Sequence, residues 1–321
     1  MKKPIGILIT NLGTPDAPTT SALRRYLNEF LGDPRVVEIP RPLWWLILHG
    51  IVLRIRPKRS AALYQKIWTA EGSPLLLNSQ NLVKALQQLL PAEDFKVVLG
   101  MRYGQPSIKE ALSVLRQSGC ERIIILPLFP QYSAATTAST FDAIADALKT
   151  WRVIPELKMI THYFANAFYI SALVESIKQH WQLHGEQDLL LFSFHGLPQR
   201  CIDLGDPYQQ QCLTTAQLVA EHLQLPQAKW SVVFQSRFGY AQWLKPYCAD
   251  TLQTLPGKGI KSVSVICPGF AVDCLETLEE INQLNRELFL KAGGEKFFYI
   301  PALNDSVVQV DLLAEIIKSG V

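Results

Sequence analysis

Leu189-Leu190-Leu191-Phe192-Ser193-Phe194-His195-Gly196-Leu197-Pro198 is the stretch on which the reading of this chain turns. An unbroken apolar run closed by Gly and Pro predicts a strand buried on both faces of a parallel sheet, because such a strand has no wet side to alternate with. His195 ends the run, so its imidazole is expected at the C-terminal sheet edge, where open α/β sheets bind ligands. Further on, residues 262–267 predict another strand, which runs into Pro268-Gly269-Phe270-Ala271-Val272-Asp273-Cys274-Leu275-Glu276-Thr277-Leu278-Glu279-Glu280. A base and a line of carboxylates are then expected at one edge, facing one cavity.

Outward from this stretch, strand-like runs alternate with helix-like ones. Strands are expected at 5–9, 96–99, 122–126, 152–154 or 158–160, 188–194, 230–234, 262–267 and 297–300. Helices are expected to open at Ser21, Asn78, Ile108, Ser139, Tyr169, Pro207, Trp243, Asp273 and Ser306. This rhythm predicts doubly wound parallel sheets. Each half opens on a strand followed by Gly-x-Pro, at Gly13-Thr14-Pro15 and Gly196-Leu197-Pro198. Each later ends a strand on an apolar proline turn, Leu126-Pro127-Leu128-Phe129-Pro130 and Cys267-Pro268-Gly269-Phe270. The expected fold class is α/β: two similar Rossmann-like lobes around a cleft, residues 1–160 and 161–321, with the last helix packing back on the first lobe.

The totals narrow the function. Of 321 residues, 48% are hydrophobic and 18% charged, which excludes disorder and suits a greasy ligand site. With 31 Lys and Arg against 28 Asp and Glu, the chain has no basic excess that would mark a nucleic-acid partner. The first loop lacks G-x-G-x-x-G and no G-x-x-x-x-G-K-[ST] occurs, so the usual phosphate cradles of nicotinamide and ATP enzymes are missing. Six cysteines without a C-x-x-C pair, and a start that enters a strand without a signal-peptide pattern, point to reduced thiols and the cytoplasm. Residues 43–53, Leu-Trp-Trp-Leu-Ile-Leu-His-Gly-Ile-Val-Leu, are too short to span a bilayer. Flanked by Arg41 and by Arg54, Arg56, Lys58 and Arg59, they fit either an interfacial segment or an amphipathic core helix with a basic end.

On the helix after Pro268, Leu275, Leu278, Ile281, Leu284 and Leu288 define a buried stripe, leaving Asp273, Glu276 and Glu280 on a neighbouring face and Glu279 off it. Acids in a first turn also serve as caps, with Asp273 as N-cap and Glu276 at N3. For His195 the alternative is a core histidine satisfied by a backbone carbonyl; its place at the sheet edge favours function. His49, His162, His180, His184 and His222 read as structural, the 180/184 pair as a solvated helix end. The turns Gly72-Ser73-Pro74-Leu75, Met101-Arg102-Tyr103-Gly104 and Pro130-Gln131-Tyr132-Ser133 offer an Arg, two Tyr and hydroxyls, which suit a flat apolar ligand bearing carboxylates.

Taken in order, several motifs make the chain resemble the ferrochelatases, which insert ferrous iron into a porphyrin at the end of haem synthesis. They are Asn-Leu-Gly-Thr-Pro at 11–15, Gly-Ser-Pro at 72–74, Arg-Tyr at 102–103, Pro-Gln-Tyr-Ser at 130–133, Ser-Phe-His-Gly-Leu-Pro at 193–198, Gly-Asp-Pro-Tyr at 205–208, Gln-Ser-Arg-Phe-Gly at 235–239 and Phe-Ala-Val-Asp-Cys-Leu-Glu-Thr-Leu-Glu-Glu at 270–280. The resemblance implies that His195 and Glu276 are the catalytic, metal-handling pair and that Asp273 and Glu280 continue a proton or metal relay. It implies that Arg102, Tyr103, Tyr132, Ser133, Trp243, Phe270 and Leu12 line the porphyrin site, with the lip at about 40–60 at its entrance. Cys274 stands where many members have a second His, and Leu12 where others have Tyr or Met. No cysteine follows Cys274, so no iron-sulfur cluster is expected and no tightly bound cofactor, with Fe2+ as substrate. A monomer with peripheral contact to the inner membrane face is expected. The alternatives are a coproporphyrin ferrochelatase, a cobalt chelatase of the same fold, and a non-catalytic tetrapyrrole carrier.

Overall fold

The computed structural model describes residues 3–239 and 241–320, which leaves Met1 and Lys2 of the leading stretch outside the described residues. All eight expected strands form, and all pair in parallel: β1 (Ile5–Gly13), β2 (Phe95–Tyr103), β3 (Arg122–Pro127), β4 (Glu156–Met159), β5 (Leu189–His195), β6 (Trp230–Gln235), β7 (Ser262–Ile266) and β8 (Lys296–Ile300). They form two four-stranded sheets of the same topology, β2-β1-β3-β4 and β6-β5-β7-β8. The chain divides into two compact units, Met1–Phe129 with Ser133–His162 and Asp305–Val321, and Pro130–Tyr132 with Tyr163–Asn304. The closing helix, Val307–Ser319, thus belongs to the first unit, where it packs on the Pro74–Leu89 helix.

In the first unit, Leu8, Ile123 and Ile125 from the sheet meet Leu112 and Leu115 from the Ile108–Gln117 helix. β1 closes tightly on β2 because Gly13, at φ +108°, pairs with Tyr103; a Cβ there would lie 1.8 Å from the Tyr103 carbonyl oxygen. β4 overlaps the later of the two sequence alternatives and starts two residues before it, while Val153 of the earlier one is 79% exposed.

The greasy 43–53 segment sits in a longer helical run, Arg41–Ile47, a π turn at Leu48–Val52, and Leu53–Ile67. The apolar run ends at Arg54, but the helix continues through the basic flank and past Pro57. The structure accommodates Pro57 because the Leu53 carbonyl, left without its helical donor, accepts a hydrogen bond from Arg24 Nε at 3.0 Å.

In the second unit β5 is central and its apolar run is buried throughout, which fixes His195 at the sheet edge. Leu191, Val233, Val263 and Val265 pack from the sheet against Leu252, Ile281 and Phe289. The helix expected from Trp243 starts only at Cys248. Pro246 explains the delay, since it lacks an N–H and disfavours helical backbone in the residue before it. His180 also departs from expectation: it is buried, and its ring and that of His184 pack on Phe298 of β8.

Candidate active site

His195 is the last residue of β5 and pairs in register with Gln235, the last residue of β6. Its Nδ1 lies 2.7 Å from the Gly196 carbonyl oxygen. A carbonyl only accepts, so Nδ1–H is the donor, and the neutral ring presents an unprotonated Nε2. The turn beyond is compressed. The Gly196 N–H donates to the Gln235 carbonyl at 2.7 Å, and a Cβ on Gly196 would stand 2.8 Å from that oxygen and 3.2 Å from the Trp243 ring. Glycine is required here by close approach, and the half-buried imidazole is held by backbone rather than by another side chain.

The acidic segment forms a π-helix, Glu276–Asn285, and this overturns the expected phasing. Its buried positions are Thr277, Glu279, Ile281 and Asn285, with Phe289 buried in the α-helix that follows, while Leu284 is 48% exposed. The i→i+5 turn is wider than the α-helical one of about 3.6 residues, so a face projected at the α-helical period no longer marks which residues are buried. Asn285 reinforces that turn, its Nδ2 donating to the Glu280 carbonyl at 2.8 Å. Glu276 and Glu280 remain half-buried and one turn apart.

Glu280 accepts hydrogen bonds from the Ser236 N–H at 2.7 Å, the Ser236 hydroxyl and, at 3.4 Å, Gln235 Nε2. Burial pushes its carboxyl above an ordinary glutamate's 4.5; the Ser236 hydroxyl, His195 and the Ser236 N–H pull it back, and Glu276 pushes it further up. Imidazole and both carboxylates therefore lie in one electrostatic neighbourhood. A group whose folded-state value is raised contributes stability below 4.5 that is lost as pH rises through the folded value. Glu280→Gln is therefore expected to melt progressively higher than the parent as pH climbs from 4.5 to neutrality, while losing activity on the order of 10²-fold. Parallel melting curves for the two proteins would rule out the assignment.

Asp273 does not join this group. It is buried, and its carboxylate accepts from Thr277 Oγ1 at 2.9 Å, Tyr299 hydroxyl at 2.5 Å and Asn304 Nδ2 at 2.7 Å. It neither caps a regular helix nor continues the Glu276–Glu280 face; it ties the approach to the π-helix to β8 and the chain beyond. Cys274 is buried beside it, with its thiol against Glu276 and its N–H donating to Thr277.

The remaining site candidates divide. In the second unit, Tyr132, Trp243 and Phe270 are half-buried; the Tyr132 N–H donates to Gln211, Trp243 Nε1 donates to the Phe238 carbonyl at 2.8 Å, and Phe270 packs against the core. In the first unit, Tyr103 is buried, with 1% of its surface exposed. Its hydroxyl donates to Asp33 at 2.8 Å, and Asp33 also takes Ser139 and Arg102. Burial alone would raise the Asp33 carboxyl, but Ser139, the Arg35 N–H, Tyr103 and Arg102 outweigh it and hold it below the usual range. The Arg102 guanidinium, expected on ligand carboxylates, is thus engaged by a protein carboxylate. Ser133 is buried and accepts from the Ala135 N–H as a helix cap; Leu12 is half-buried at the end of β1.

Set beside known proteins, the chain matches the family model described as ferrochelatase over residues 4–321. This chain belongs to the ferrochelatase family. It is 55% identical over 319 residues to a ferrochelatase of Nitrosococcus oceani, covering 99% of this chain and 87% of that one. It is also 55% identical over 316 residues to one from Methylococcus capsulatus, covering 98% and 95%. Among solved structures, the sirohydrochlorin chelatase SirB of Bacillus subtilis subspecies spizizenii superposes with a TM-score of 0.59 over 99% of this chain and 95% of that one. At 8% identity, that likeness speaks for the fold alone.

Within this ferrochelatase fold, sequence reading passed over Gln235, Ser236, Thr277, Tyr299 and Asn304. Thr277 stood inside the motif at 270–280 and Gln235 and Ser236 inside the one at 235–239, which was the available signal. The contacts of Gln235 and Ser236 to the π-helix span 41 and 44 residues, beyond the reach of any local pattern.

Proposed function

We infer that this protein inserts ferrous iron into protoporphyrin IX, the closing step of haem formation. The observation that carries the reading is the unprotonated Nε2 of the neutral His195 ring beside the Glu276–Glu280 pair, in a chain of the ferrochelatase family. Metallation removes two pyrrole N–H protons and requires the ion to shed water. One proton is assigned to His195 Nε2, the ring nitrogen left as acceptor when Nδ1–H donates to the Gly196 carbonyl. The second is assigned to Glu280, whose burial makes its carboxyl a better proton acceptor than an ordinary one. Glu276, next along the same face, supplies the hard oxygen that replaces water on the incoming ion.

Among the described residues no three His, Cys, Asp or Glu side chains stand together as an ion cage. In this reading the ion takes its remaining ligands from water and then from the macrocycle. The test is an anaerobic assay of purified protein with ferrous iron and each of protoporphyrin, coproporphyrin and sirohydrochlorin, with cobalt in parallel. Turnover of protoporphyrin with iron supports the reading. Preference for cobalt, for a more carboxylated macrocycle, or tight binding without turnover would replace it with the corresponding alternative.

We also propose that the protein works at a membrane surface. None of the described helices is long and apolar enough to cross a bilayer. Trp45 and Leu46 are 59% and 62% exposed on the Arg41–Ile47 helix, and Leu43, Ile51 and Ile55 are exposed nearby, with Arg41, Arg54, Lys58 and Arg59 alongside. Trp44 faces the other way, its Nε1 donating to the Leu31 carbonyl, so the helix is anchored with its neighbours outward. Burying one such side chain gains about 1.5–3 kcal/mol, so the double change Trp45→Glu, Leu46→Glu is expected to weaken binding to anionic vesicles by more than about tenfold. Activity in detergent should stay at the parental level. Unchanged vesicle binding would exclude this surface.

A further inference from the structure

We propose that Gln235 is the positioning residue that sets the spacing between His195 and the Glu276–Glu280 pair; this rests on the metallation reading above. The two halves of that constellation come from different elements, β5 and the π-helix after β7, and Gln235 is bonded to both. It is 3% exposed, and every hydrogen-bonding group of its side chain is used. On the β5 side, Oε1 accepts from the Ser193 hydroxyl at 2.7 Å, two residues before His195, and from Cys267 Sγ at 3.6 Å. On the π-helix side, Nε2 donates to the Glu276 carbonyl at 2.8 Å and to Glu280 Oε2 at 3.4 Å.

Its backbone adds to this, since the Gln235 carbonyl accepts the Gly196 N–H directly after His195. The next residue, Ser236, adopts φ +64°, a left-handed conformation that a non-glycine residue holds only when its surroundings demand it. There it turns both its N–H and its hydroxyl onto Glu280. One amide and the strained residue after it thus reference the acid-bearing helix to the strand that ends in the imidazole.

No other side chain reproduces this. Leu fills the space but bonds nothing. Glu keeps the acceptor for Ser193, yet its carboxylate cannot donate to the Glu276 carbonyl. Asn carries the right groups one methylene short. Reacting groups displaced by about 1 Å lose on the order of 10² in rate, which sets the expected effect.

The experiment compares the parent with Gln235→Leu and Gln235→Glu for thermal melting, porphyrin affinity by fluorescence quenching, and steady-state metallation with ferrous iron varied. In both variants kcat is expected to fall by about 10²-fold and the KM for iron to rise, with porphyrin affinity unchanged. A purely structural role would reduce the active fraction, which lowers kcat at constant KM for iron, and that outcome overturns the proposal. So does failure of both variants to fold, because the amide would then hold the sheet and not the site; if only Gln235→Leu misfolds, Gln235→Glu carries the comparison. If the parent metallates no porphyrin, the functional reading fails instead. Iron affinity of parent and variants, measured directly by anaerobic calorimetry, then decides the positioning role: weaker binding in both variants supports it and equal binding overturns it.

Discussion

His195→Ala is expected to slow single-turnover metallation by about 10³-fold or more while changing porphyrin affinity by less than about twofold, since a base acts on the transition state and contributes little to binding the flat ring. The arrangement leaves little room for a substitute. Nδ1–H is fixed on the Gly196 carbonyl at 2.7 Å, so the neutral ring offers its lone pair only from Nε2. Truncation removes that acceptor and the positive charge that forms on it, and it removes the group that draws the Glu280 carboxyl back down. The variant should fold, because His195 ends its strand half-buried and, among the described residues, its side chain hydrogen-bonds only to the carbonyl of the adjacent Gly196. Stopped-flow porphyrin absorbance with enzyme in excess, together with fluorescence quenching for affinity, measures both quantities. Near-parental turnover would remove the base from the account.

Asp273→Ala is expected to act on stability before chemistry. The buried carboxylate accepts from Thr277, Tyr299 and Asn304, and its loss takes that partner from one buried hydroxyl and from two half-buried donors. Leaving such groups unsatisfied costs about 1–3 kcal/mol each before relaxation, so a loss on the order of 4 kcal/mol is expected from denaturant unfolding. Glu276→Gln offers the contrast, with near-parental stability and a large loss of turnover, because Glu276 is half-buried on the working face. Glu279→Gln falls with Asp273 and not with Glu276, since Glu279 is buried. If Asp273→Ala keeps the parental unfolding free energy but loses turnover, Asp273 is a relay after all and its anchoring role is wrong.

These assignments show where the sequence was informative. The strands were legible because fully buried parallel strands are continuous apolar runs, and β5 carries its histidine at the end of such a run. Recurrence of Gly-x-Pro after β1 and β5 marked the repeated topology, and both sheets keep the same strand order. What failed was inference that depended on an assumed helical period. The stripe through Leu284 presupposed an α-helix; Ile281 is buried as expected, but in the π-helix Thr277, Glu279 and Asn285 are buried as well and Leu284 is exposed. Asp273 shared a projected face with Glu276 and Glu280, but its partners Tyr299 and Asn304 lie 26 and 31 residues away, and nothing local announces them. Tyr103 and Arg102 looked like ligand groups because their turn is polar, yet Asp33, about seventy residues earlier, claims both. Gln235 and Ser236 were legible only as members of a motif, because amides and hydroxyls have no periodic signature.

The most direct measurement is the tautomer of His195. In protein labelled with 15N in the histidine rings, with the His195 resonances assigned by their loss in His195→Ala, the neutral ring is expected to carry its proton on Nδ1 and to show an unprotonated Nε2. Adding a divalent ion should shift Nε2 and leave Nδ1–H in place. A neutral ring protonated at Nε2 would mean that the strand-end imidazole presents a donor and not a base, which contradicts the account.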